Sequence, residues 1–116
     1  MSFWVYLHNK EGKIVEVDNH TEGGTYSVFG TDNAELNITY NYSKHYYEHL
    51  NNTQGLRYLH EKKAKEVISD LERTVKILGT KRDNDYWNPT EGNAGYALNI
   101  LLEWAKQNPD AIFIVD

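Results

Sequence analysis

The chain has 116 residues, a formal charge of −5, 40% apolar and 13% aromatic residues, and no cysteine. That length fits one domain around one core, and the absence of thiols excludes a disulfide scaffold, a thiolate metal site and a cysteine nucleophile. Scattered Lys and Arg in an acidic chain do not make the basic footprint that duplex nucleic acid requires, and the N-terminal apolar run is too short for a signal segment or a membrane span, so a cytoplasmic protein is expected.

Phe3 to His8 and Lys13 to Asp18 are β-forming runs separated by Asn9-Lys10-Glu11-Gly12, which is the composition of a hairpin turn. Asn19 to Gly24 reads as a loop, and Thr25 to Phe29 as a short strand ended by Gly30-Thr31-Asp32-Asn33. From Leu36 the pattern alternates: Leu36, Ile38, Tyr40 and Tyr42 against Asn37, Thr39, Asn41 and Ser43, a strand with one apolar face. After Ser43 the period becomes helical, with Tyr46, Tyr47 and Leu50 on one side and Ser43 as the expected N-cap.

Asn51 to Gly55 forms the next loop. A helix follows from about Glu61 to Leu78, with an apolar stripe of Ala64, Val67, Ile68, Leu71, Val75 and Leu78, and Gly79 supplies the left-handed residue that ends it. A polar connection carries Tyr86 and Trp87. The last helix starts at the N-cap Thr90, runs along Ala94, Ala97, Leu98, Leu101, Leu102 and Ala105, and stops at Asn108-Pro109. Ala111 to Val115 is a closing strand expected to join the N-terminal hairpin. The whole predicts a single α+β domain spanning 1–116, with one mainly antiparallel sheet of about four to five strands and about three helices packed on one of its faces.

Three groups of residues have chemical potential. His45-Tyr46-Tyr47-Glu48-His49 spells His-x-x-Glu-His, in which both imidazoles share a helix face and could hold a zinc whose water Glu48 activates. The pattern lacks an obvious third ligand. Asn37, Thr39, Asn41 and Ser43 form a row of groups that both donate and accept hydrogen bonds, either reading a polar ligand or bonding neighbouring loops. Around the last helix start, Trp87 and Tyr86 can stack on a flat group or cover the core, while Gly92 and Gly95 in the first helical turns imply close approach of another backbone or a ligand. Gly-Asn-Ala-Gly is no phosphate or dinucleotide fingerprint, and no cofactor is expected.

Asn37-Ile38-Thr39-Tyr40-Asn41 ahead of a helix, Trp87 with Asn93-Ala94-Gly95, and Pro109-Asp110-Ala111 leading into Val115-Asp116 resemble a group of short bacterial and bacteriophage proteins of uncharacterised function. The resemblance covers most of the chain from Leu36 onward. It implies a cytoplasmic, bacterial or prophage-encoded protein and lends no activity. The sequence therefore predicts a non-enzymatic binding or accessory module for a small polar molecule, a nucleotide-like signal or a host protein, with Asn37, Thr39, Asn41, Trp87, Thr90 and Asn93 lining the site. The alternatives are a zinc hydrolase using His45, Glu48 and His49, and a homo-oligomer or host-protein partner using exposed tyrosines of the Tyr40 to Tyr47 cluster.

Overall fold

The computed structural model describes residues 1–21 and 30–116; the strand expected at Thr25 to Phe29 lies outside the described residues. The fold is α+β. It has strands β1 (Ser2–His8), β2 (Glu16–Thr21), β3 (Gly30–Asn33), β4 (Glu35–Thr39) and β5 (Ile112–Val115), and helices α1 (Ser43–His49), α2 (Ala64–Leu78) and α3 (Glu91–Gln107). Among the described residues all pairing is antiparallel, in one sheet of order β4-β1-β5 and a second made by β2 and β3.

β1 takes the centre because it can fill a core. Phe3, Val5 and Leu7 are buried on one face, beside Leu36 and Ile38 of β4 and Phe113 and Val115 of β5. The hairpin turn forms where expected: Asn9 N–H donates to Lys13 O at 2.8 Å, Gly12 takes φ +80°, and Val15 N–H donates to Leu7 O at 3.0 Å. The chain then departs. With both edges of β1 already taken by apolar partners, the polar run Glu16–Thr21 pairs with β3 instead, and Gly30–Asn33, read above as the end of a strand, is itself a strand.

The outer edge of β5 is covered by residues 61–64. Phe113 N–H donates to Lys62 O (3.0 Å), Glu61 N–H to Phe113 O (2.8 Å) and Ala64 N–H to Ala111 O (2.8 Å). This pairing is why α2 starts at Ala64 and not near Glu61. Leu71, Leu78, Ala97, Leu98 and Leu101 are buried between α2, α3 and the sheet.

Ser43 is not the helix cap. Thr39 Oγ1 accepts from Asn41 N–H at 3.2 Å, Tyr40–Tyr42 forms one 3₁₀ turn, and Ser43 is the first residue of α1. Nor are the tyrosines of this region a surface cluster. Tyr42 and Tyr46 are fully buried with their rings edge to face, Tyr40 packs on Phe3 with 4.6 Å between centroids, and only Tyr47 of the four is exposed.

Candidate binding surface

The strand-to-helix junction does meet the start of α3, and the contact is a latch. Every backbone carbonyl from Asp85 to Pro89 accepts a hydrogen bond from a side chain. Asn93 Nδ2 donates to Asp85 O (3.1 Å) and Asn88 O (3.0 Å), Tyr42 Oη to Tyr86 O, Asn41 Nδ2 to Trp87 O (2.8 Å) and His45 Nε2 to Pro89 O (2.6 Å). A connection with no strand or helix of its own thus has its carbonyls satisfied by side chains.

Asn93 is the inner half of this latch. It is fully buried, its Oδ1 accepts from Asp83 N–H at 2.8 Å, and its own N–H donates to the N-cap hydroxyl of Thr90 at 3.1 Å. Asp83 closes the outside, accepting from Asn88 Nδ2 at 2.6 Å; that bond, then backbone N–H groups, holds its carboxyl below the usual aspartate range. Trp87 is half exposed and packs against Tyr86 with 4.4 Å between ring centroids and the rings tilted by 33°. Burial, then the neighbouring Asp85 charge, raises the Tyr86 phenol.

Of the six residues nominated from sequence, Asn41, Trp87, Thr90 and Asn93 are therefore brought together. The Asn41 amide N–H group, the Thr90 hydroxyl and the Asn93 amide are committed to the backbone. Thr39 is buried as a cap. Asn37 lies apart, donating to Ser2 Oγ at 2.6 Å across the sheet. The tight approach implied by Gly92 and Gly95 is to backbone: a Cβ would stand 1.9 Å from Lys81 O at Gly92 and 1.8 Å from Gly79 O at Gly95.

The His pair is drawn into the same latch. A carbonyl can only accept, so His45 Nε2 carries the proton it gives Pro89 O, while His49 sits 3.7 Å from Glu48. Among the described residues no three His, Asp or Glu side chains are grouped to hold a metal ion.

A different surface is exposed among the described residues. The residues of β1 that alternate with its buried ones, Trp4, Tyr6 and His8, form a continuous row on the opposite face of the sheet. Their ring centroids are 6.4 Å apart for Trp4 and Tyr6, and 5.9 Å apart for Tyr6 and His8. Trp4 is 38% exposed, and Tyr6 and His8 are half-buried. The register sets Asn37 opposite Trp4 and Glu35 opposite Tyr6 on one side, with Ile114 opposite Tyr6 and Ile112 opposite His8 on the other. The sequence reading treats Phe3 to His8 as one aromatic and β-branched run without separating its faces. The signal that finds this face is the period of two within it.

No protein-family model matches this chain, and no solved structure matches it. No helix among the described residues is long and apolar enough to cross a membrane.

Proposed function

We propose that this protein is a non-enzymatic binding module, of bacterial or phage type and working in the cytoplasm, whose contact surface is the open face of the three-stranded sheet. The observation that carries the reading is the aromatic row Trp4–Tyr6–His8, with Trp4 and Tyr6 stacked, flanked by Ile112 and Ile114 on a face opposite the buried core. Aromatic rings side by side with aliphatic neighbours are the residues that dominate interface energetics. The polar junction serves the fold instead, because its donors hold residues 85–89 in place.

A photo-crosslinking amino acid at Asn37, beside Trp4, compared with the same group at the exposed Glu72 of α2, tests this in the cells that naturally contain the protein. A discrete adduct from position 37 that is absent from position 72, and that fades in Trp4→Ala, is the expected result. The same products from both positions, or none from either, would sink the reading.

A further inference from the structure

We propose that the open face receives a cationic side chain, Arg or Lys, from a segment of a protein partner, seated over Trp4 and Tyr6 between Glu35 and Asp116. This rests on the reading above that the face is the contact surface. Two carboxylates reach the aromatic row from opposite sides. Glu35 stands across from Tyr6 on β4, and Asp116 exchanges both backbone hydrogen bonds with Trp4 beyond β5, at 3.3 and 2.8 Å. Neither carboxylate makes an ion pair or side-chain hydrogen bond among the described residues, in contrast to Asp70, Glu61 and Asp110 elsewhere.

The electrostatic reach of both groups is visible at the ring between them. The Tyr6 phenol is raised by burial first, then by Asp116 and Glu35. Lys63, opposite Ile112 in the register, lies at the His8 end of the face, away from Trp4. A ring face attracts a cation through its quadrupole, and an adjacent carboxylate adds a charged acceptor, so the two features select the same side chain. Arg suits the place best because its plane can lie on an indole while its edge N–H groups reach a carboxylate. The overall charge of −5 draws such a partner in at long range.

Aromatic side chains on an open antiparallel sheet are also a geometry that stacks single-stranded RNA bases. There, however, phosphates run alongside the bases and need Lys or Arg where this face has Glu35 and Asp116. The charges decide for a cationic peptide.

The test is an amide and indole NMR titration of the whole chain with a blocked Ala-Val-Arg-Val-Ala peptide, with the same peptide carrying neutral citrulline for Arg, and with oligouridylate. The expected result is perturbation confined to Trp4, Tyr6 and their sheet neighbours, at least about tenfold weaker with citrulline and in Glu35→Gln/Asp116→Asn. That double variant changes surface charge alone, and its unperturbed spectrum would verify the fold. Equal binding of the Arg and citrulline peptides at this face would overturn the cation while leaving the face as the contact surface. Preferential binding of oligouridylate would replace the cationic partner with a nucleic acid. Failure of the Arg peptide to perturb the face also overturns the proposal, and the crosslinking comparison then decides the surface separately.

Discussion

Gly95 of α3 lies against Gly79 at the end of α2, so close that a methyl group at position 95 would stand 1.8 Å from the Gly79 carbonyl oxygen and 3.0 Å from Leu78 Cβ. Two forces then compete in Gly95→Ala. Helix propensity favours Ala by about 1 kcal/mol, while forcing atoms into a filled space costs about 1–3 kcal/mol and more where the obstacle is backbone. Sterics should win, and Gly95→Ala should lower stability by about 2 kcal/mol or more in urea unfolding. A stabilised variant would show that α2 and α3 pack less tightly than described.

Asn93→Ala removes the acceptor for Asp83 N–H and the donor to two carbonyls from a fully buried position. Stranded buried polar groups cost about 1–3 kcal/mol, so a loss of about 3 kcal/mol is expected, against about 1 kcal/mol for the exposed Asn41→Ala. Hydrogen exchange gives the sharper readout: amides of residues 83–90 should lose protection in both variants while those of β1 keep it.

The C-terminal strand is a structural necessity. Phe113 is fully buried, and a Phe→Ala change in a core costs about 3–5 kcal/mol, a large part of the stability of such a domain. Phe113→Ala should unfold at much lower denaturant, and removal of residues 111–116 should abolish cooperative unfolding measured by circular dichroism.

Stability should fall at both pH extremes, for opposite reasons. Burial pushes the Asp70 carboxyl up, but hydrogen bonds from Arg73 and Tyr58 and the Arg73 charge outweigh it and hold the group below its ordinary value. A carboxyl depressed in the folded state stabilises at pH above its unfolded value, and that contribution is lost as pH falls through the folded one. Asp70→Asn should therefore show a shallower loss of stability on acidification.

On the alkaline side, burial, then the neighbouring Tyr42, raises the Tyr46 phenol well above its ordinary value; its Oη donates to Ala94 O at 2.9 Å. A group raised in the folded state contributes fully below its unfolded value. The contribution declines above that value, where only the unfolded chain ionises. Tyr46→Phe should be less stable by about 1 kcal/mol at neutral pH, from the lost hydrogen bond, yet show a flatter decline in alkali by thermal unfolding.

The features legible in the sequence are those set by near neighbours. The stripes of α2 and α3, the Thr90 cap, the Gly79 terminus at φ +76° and the turn at Gly12 each follow from residues within a few positions. Strand partnership does not. Whether Lys13 to Asp18 continues along β1 depends on Leu36 and Phe113, which compete for the same edges from far along the chain. The junction is visible as an accumulation of Asn, Thr and Tyr, but the carbonyls it bonds are some 44 to 48 residues away, as for Tyr42 with Tyr86 and Tyr46 with Ala94. The pattern shows polar groups without their partners, so it leaves open both a ligand and the backbone of neighbouring loops. The Trp4–Tyr6–His8 row is the converse case, since strict alternation with Phe3, Val5 and Leu7 was present and needed only to be separated into faces.

The first strand of the described chain lies in the middle of its sheet, between β4 and β5. During synthesis the apolar face of β1 leaves the ribosome with one partner available within about forty residues and the other only after residue 115 has emerged from the exit tunnel. Until then the core lacks Phe113 and Val115, and residues 61–64 have no strand to cover. Completion of the fold therefore waits for nearly the whole described chain, and until then the apolar face of β1 is only partly covered.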